Sequence, residues 1–247
     1  MCTVSWWSAA DGYELYFNRD ELKSRLPGFP PEELELDGVR YLSPRDADAG
    51  GTWLLVNEYG LTVCLINQYP LRRPVKVGPL VSRGHLVRRM AACAHVAEVE
   101  RRLGEEELFS FRPFQMIAVE PGGTGAAFAW DGHKLTPTEN AHEHMPFTSS
   151  SYLSEQIVQH RRERFARIVA ERGDMTPADL LAFHREHNIG AGAFSVCMQR
   201  DDAETVSLTQ VVVRPDTISM TYAQKVPGRP NFAEPVRVSL KPHACLS

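Results

Sequence analysis

The chain has 247 residues, 43% hydrophobic and 23% charged, so a sizeable core is available and disordered, collagen-like and low-complexity classes are excluded. At about 150 residues per domain, this length points to one large domain over residues 1–247. With 27 basic against 31 acidic residues and a formal net charge of −4, the chain lacks the basic footprint that nucleic acid requires.

Residues 3–8 and 13–18 are rich in β-branched and aromatic side chains and flank Ala9-Ala10-Asp11-Gly12, which predicts a hairpin. Residues 24–50 carry prolines and acidic residues without a period and predict a long surface loop ending at Gly50-Gly51. A second hairpin is expected from residues 52–57 and 61–66 around Glu58-Tyr59-Gly60. Leu86, Met90, Cys93, Ala97 and Leu103 recur at helical spacing and Gly104 supplies a stop, so one helix is expected over 83–103. Strands follow at 115–120 and 125–130, with Asp131-Gly132 as a turn. Helices are expected at 151–172, ending at Gly173, and at 177–187. The second has Thr176 as N-cap, Pro177 at the first helical position and Asp179 near the capping-box position. Strands at 195–199, 205–213 and 218–223 form a meander before an irregular tail over about 225–247. Antiparallel hairpins interrupted by helices predict an α+β fold and not a doubly wound parallel one.

Five cysteines, Cys2, Cys64, Cys93, Cys197 and Cys245, are odd in number and form no CxxC pair. They read as reduced thiols, four of them small core or tail residues. No apolar run is long enough for a membrane span and no secretory signal is visible, so a cytoplasmic protein is expected. Arg161, Arg162, Arg164 and Arg167, set among Glu155, Glu163 and Glu171, read as a solvated helix face. His142 and His144 have a metal-like spacing without a third ligand, and His184 and His187 read as cations near a helix C-terminus. No metal or cofactor is expected. Gly122-Gly123-Thr124-Gly125 lacks the lysine of a phosphate loop and reads as a hairpin loop. Trp6 and Trp7 point to opposite faces of one strand; one belongs to the core and the other to a pocket, for which Trp6 is the candidate.

The residue that does not fit the bland description is Cys2. Removal of Met1, usual when the second residue is small, leaves a thiol nucleophile and a free α-amino group on one residue, with the amine as its base. Their ordinary pKa values, roughly 8 for the amine and about 8.5 for the thiol, both lie near neutrality. A three-residue hairpin loop sets Cys2 opposite Asp20, and a two-residue loop sets it opposite Arg19 or Glu21. Each register leaves the N-terminus beside Arg19-Asp20-Glu21, where a cation favours the thiolate and a carboxylate holds the amine.

Met1-Cys2, Asn18-Arg19-Asp20-Glu21, Gly50-Gly51-Thr52-Trp53 and Asn57-Glu58-Tyr59-Gly60-Leu61, followed by Asn67, together resemble the NRDE family, also called transport and Golgi organisation 2-like. The resemblance runs from Met1 to about Tyr222. It implies the superfamily of N-terminal nucleophile hydrolases, distantly similar to choloylglycine hydrolases and penicillin V acylases. The implied fold is a four-layer αββα sandwich of two antiparallel sheets with outer helices. The implied roles are Cys2 as nucleophile, Arg19 beside the sulfur, Asp20 on the α-amino group and Asn67 in the oxyanion hole. Two departures from the acylase pattern matter. Arg19 and Asp20 are adjacent and point to opposite faces of a regular strand, so a bulge intervenes or Glu21 takes the carboxylate role. A second acylase asparagine is replaced around Thr148-Ser149-Ser150, where Ser149 still offers a hydroxyl donor. The expected activity is hydrolysis of a linear amide of a small molecule through a Cys2 thioester. Expected partners are therefore a small-molecule amide or acyl substrate, with homo-oligomer formation left open. The alternative is a non-catalytic binding or trafficking protein for haem or lipid on the same fold.

Overall fold

The opening hairpin consists of β1 (Cys2–Ala9) and β2 (Gly12–Leu22), joined by a two-residue turn at Ala10-Asp11. Ala9 pairs with Gly12 and Cys2 with Arg19, which is one of the two-residue-loop registers. Glycine is required at position 12, where φ is +150° and a methyl group would lie 2.0 Å from the Val213 carbonyl oxygen. The structure, a computed structural model, describes residues 2–69, 80–188, 190, 192–229 and 231–243. Met1 and Cys245 lie outside the described residues.

The remaining strands are β3 (Phe29–Leu36), β4 (Val39–Arg45), β5 (Leu54–Asn57), β6 (Thr62–Asn67), β7 (Phe114–Val119), β8 (Ala126–Trp130), β9 (Leu135–Thr138), β10 (Phe147–Ser149), β11 (Ala203–Arg214), β12 (Thr217–Gln224) and β13 (Val236–Leu240). The helices are α1 (Arg83–Arg89), α2 (Val96–Glu105), α3 (Ser154–Arg172) and α4 (Pro177–Arg185). One sheet has the order β10-β1-β2-β11-β12-β13 and the other β3-β4-β5-β6-β7-β8-β9, with antiparallel neighbours throughout.

Three apolar interfaces make this a four-layer αββα sandwich. Val4, Trp6, Leu15 and Phe17 of the first sheet meet Leu54, Val56, Ile66 and Ile117 of the second. The outer face of the second sheet, through Leu55, Val63 and Met116, covers Leu86, Met90, Val99 and Leu103 of α1 and α2. Tyr16 on the outer face of the first sheet packs on Phe165, Leu180 and Phe183 of α3 and α4. Burying each such aliphatic or aromatic side chain contributes about 1.5–3 kcal/mol. The fold is therefore α+β with two antiparallel sheets, as expected. None of the described helices is long and apolar enough to cross a membrane.

Four expectations need correction. Residues 24–50 are not a loop: β3 and β4 form an edge hairpin there, turning at Asp37 (φ 53°) and Gly38 (φ 80°). Leu34 and Leu36 face the core while Glu33 and Glu35 face solvent, and Pro30-Pro31 sit where the register shifts between Phe29 and Glu32. The helix expected over 83–103 is two helices, because the Asn57 side-chain amide donates to the carbonyls of Ala91 (2.9 Å) and Cys93 (2.6 Å) and holds the chain out of helix between them. Gly104 lies inside α2 and does not end it. Residues 195–199 form no strand beyond a bridge at Gln199, since the Ser195 and Val196 carbonyls accept from Arg161 and Asn18, and the Cys197 amide donates to Glu186. The tail is not irregular throughout, because β13 adds an edge strand to β12. The expected capping box is present, with Thr176 and Asp179 bonding each other's backbone amides.

Candidate active site

Alternation along a strand sorts the first sheet's side chains into two sets. Cys2 lies directly opposite Arg19 on β2 and Ser149 on β10, so all three share the face that looks toward the second sheet. Thr3, Ser5, Asn18 and Asp20 take the opposite face, toward α3 and α4. The adjacent Arg19 and Asp20 thus do point opposite ways. The irregularity lies on the neighbouring strand, where the register shifts between Thr205 and Ser207 as β11 passes Asp20 and Arg19.

Cys2, Arg19, Asp20, Glu21 and Asn67 all line one cleft of about 380 Å³. Cys2 is 8% exposed, and burial raises its thiol pKa, with the charge of Asp20 adding to the rise and the Asp20 backbone amide countering part of it. Arg19 is held from three sides: its Nη2 meets Asp46 Oδ2 at 3.0 Å and Glu21 Oε2 at 3.3 Å, and its guanidinium lies 4.4 Å from the Trp53 ring centre. Arg25 clamps the same two carboxylates, at 2.8 Å from Asp46 and 3.3 Å from Glu21. Burial opposes ionisation of Asp46, but amide donors from Ala49 and Asp48 and the charges of Arg19 and Arg25 outweigh it and hold its pKa below the usual range. Asn67 closes the far side from the end of β6, its Nδ2 donating to the Tyr69 hydroxyl at 3.3 Å. The wall opposite β2 comes from α1. Thr52 N donates to Gly84 O at 3.2 Å, and a methyl group on Gly51 would lie 2.6 Å from the Gly84 carbonyl carbon.

Behind the thiol, on the helix side, Asp20 is 1% exposed and accepts from Thr205 Oγ1 at 2.6 Å. Arg161 of α3, also 1% exposed, approaches Asp20 Oδ2 at 3.6 Å and donates to Thr3 and Thr148 hydroxyls and to the Ala193 and Ser195 carbonyls. The expected solvated arginine face therefore holds for Arg162 and Arg167 but not for Arg161, which neutralises a buried carboxylate.

His184 corrects a second expectation, being fully buried between Ser5 and Asn18 and not a cation at a helix end. Asn18 Nδ2 donates to the His184 and Val196 carbonyls, which leaves Asn18 Oδ1 to accept from His184 Nδ1–H and His184 Nε2 to accept from the Ser5 hydroxyl. Burial, reinforced by Arg161, pushes the His184 pKa down to about 3 from 6.5. Below pH 6.5 the unfolded chain takes up a proton that the folded chain refuses. Stability is then constant above that pH and falls as pH drops toward 3. Between pH 7.5 and 4.5 the loss from this group is about 2.7 kcal/mol. Urea unfolding at pH 7.5 and 4.5 checks this: His184→Gln should show a pH dependence smaller by that amount, and an unchanged dependence refutes the assignment.

Trp6 does not line the cleft. It is 2% exposed between the sheets, stacked on Phe147 with ring centres 6.1 Å apart, and Trp53 takes the cleft position instead. Ser149 faces Cys2 across β1 and β10 but is buried and is not a lining residue. His142 and His144 are exposed on a short 3-10 helix, Ala141–His144. Among the described residues no group of three or more His, Cys, Asp or Glu side chains is placed to hold a metal ion. Sequence reasoning missed Arg25, Asp46, Arg83, Arg112 and Arg161 as parts of the site or its support. Each is distant in sequence from Cys2 and carries no local motif.

The family model described as "Transport and Golgi organisation 2" matches residues 1–223. No curated protein matches. The fold is similar to a penicillin V acylase from Agrobacterium tumefaciens, with a TM-score of 0.58 and 14% identity over 94% of this chain and 84% of the other. A conjugated bile acid hydrolase variant from Clostridium perfringens gives a TM-score of 0.55 and 14% identity over 100% and 98%. The N-acylethanolamine-hydrolyzing acid amidase ortholog of Caenorhabditis elegans gives 0.57 and 14% over 86% and 92%. The likeness is one of fold, two antiparallel sheets packed face to face with helices outside.

Proposed function

From the premise that the chain belongs to the transport and Golgi organisation 2 family, and has the fold of amide-cleaving enzymes, we propose that it is an N-terminal cysteine amidohydrolase acting on a linear amide of a small molecule. The observation that carries this reading is the placement of Cys2 opposite Arg19 in a cleft that Asn67 also lines.

With Met1 removed, the α-amino group of Cys2 takes the thiol proton. The amine is needed because burial raises the thiol pKa, so the thiolate is scarce without a base beside it. Arg19 stabilises the sulfur anion, and Asp20, anchored by Thr205 and Arg161, holds the amine from the helix side. The sulfur attacks the amide carbonyl, and the Asn67 side-chain amide donates to the oxyanion. The ammonium returns its proton to the departing nitrogen, releasing an amine and leaving an acyl thioester. Water, deprotonated by the same amine, cleaves the thioester to a carboxylic acid. The haem or lipid alternative has less support, because Arg19, Glu21, Arg25, Asp46, Arg83 and Arg112 give the cleft a strongly charged lining.

Incubation of the purified chain with a panel of N-acyl amines, quenched in acid and followed by intact-mass and peptide analysis, tests the proposal. Loss of Met1, release of amine and an acyl adduct on the Cys2 peptide are expected. Retained Met1, or acyl transfer to another residue, rules it out.

A further inference from the structure

The cleft's charges divide into two groups. Every carboxylate lining it is already engaged: Glu21 and Asp46 with Arg19 and Arg25, and Asp20 with Thr205 and Arg161. On the opposite wall stand Arg83 and Arg112, and no ion pair joins either to a carboxylate among the described residues. No aspartate or glutamate occurs anywhere between Glu58 and Glu98, a stretch that includes Arg83.

These two cations sit on a tied wall. Val81 N donates to Ser110 O at 2.9 Å, and Arg83 Nη1 donates to Pro113 O at 3.0 Å, which holds the Arg83 guanidinium against the residue following Arg112. Pro113 O also accepts from Gln68 N at 3.2 Å, one residue beyond Asn67. Desolvation and then, after the opposing influence of Tyr69, the charge of Arg112 lower the Arg83 pKa. A partly buried guanidinium facing a like charge, with a fixed carbonyl as its one described acceptor, gains most from an incoming anion.

We infer that Arg83 and Arg112 form an anion-recognition subsite, so the substrate is an acyl amide that carries a carboxylate or phosphate group. The inference rests on the amidohydrolase reading for the amide and on the arginine wall for the anion. The anion docks between the two guanidinium groups while the carbonyl lies at Cys2, with the neutralised Arg19 cluster left to the sulfur.

The test is binding calorimetry with the Cys2→Ala chain, which removes turnover. Three probes share one acyl chain: N-octanoylglycine for a carboxylate, N-octanoyl phosphoethanolamine for a phosphate and N-octanoylglycinamide as the uncharged control. At least one anion should bind about tenfold or more tightly than the control, an advantage that weakens with salt and is largely lost in Arg83→Gln and Arg112→Gln backgrounds. Equal affinity for all three probes, no binding of any, or a preference that survives both substitutions overturns the inference. Turnover by the unsubstituted chain separates the two ideas. Anion preference without amine release leaves the subsite standing and refutes the hydrolase, whereas hydrolysis indifferent to charge does the reverse.

Discussion

Cys2→Ala should abolish amide turnover while leaving the fold intact. The nucleophile, its base and its support form one unit, and removing the nucleophile from such a unit lowers the rate by roughly 10⁴–10⁶-fold. Cys2→Ser should fall nearly as far. A serine hydroxyl is much harder to deprotonate than a thiol, and the buried setting that already raises the thiol pKa disfavours an alkoxide further. A chain that keeps Met1 should be equally inactive, since its Cys2 nitrogen is a peptide amide and has no proton affinity near neutrality. None of these changes removes much buried area, so unfolding free energies should stay within about 1 kcal/mol of the parent. Rates measured on material whose N-terminus is defined by mass spectrometry decide the matter. If Cys2→Ala kept a substantial part of the parent rate, the nucleophile would have to be sought elsewhere.

Arg161→Met should destabilise the chain by about 3–5 kcal/mol, the range for breaking a buried ion pair from one side. The methionine fills similar volume, so the loss reports charge and hydrogen bonding and not a cavity. Asp20 would lose the Arg161 charge behind it, and Thr3, Thr148 and the carbonyls of Ala193 and Ser195 would lose a common donor. A double-mutant cycle sharpens the point. Asp20→Asn in the Arg161→Met background should cost much less than Asp20→Asn alone, because the second charge is then no longer there to strand. Urea denaturation gives all four free energies. A loss under about 1 kcal/mol for Arg161→Met, or strict additivity, would show that the pair does not anchor the layer behind the thiol.

What could be read from the residue order follows the reach of each signal. The β1–β2 hairpin and the Thr176–Asp179 capping box are local patterns, legible because their partners lie within a few residues. The resemblance motifs led to Cys2, Arg19 and Asn67, which the structure gathers in one cleft, but they mix site with scaffold. Asn57 and Glu58 of the same motif set do not touch the cleft: Asn57 splits α1 from α2, and Glu58 pairs with Arg40. The β3–β4 hairpin was hidden because Pro30-Pro31 and the acidic residues mask a short alternating run, although Asp37-Gly38 is a hairpin turn signal. Arg161 was hidden for a deeper reason. Its immediate neighbours His160 and Arg162 are exposed, and only packing of α3 on the first sheet reveals that this one position points inward. Arg83 and Arg112 share that difficulty, since their relation to Cys2 exists only once the second sheet and its helices face the first.

The glycine pair at positions 51 and 84 bears on the shape of the cleft. With the two backbones this close, the start of α1 is pinned to the β4–β5 connection, and the width of the cleft mouth becomes a property of two residue identities. Any side chain at either position must push the helix outward and open the entrance. The pair therefore sets how near α1, and the Arg83 it carries, stands to the β4–β5 connection.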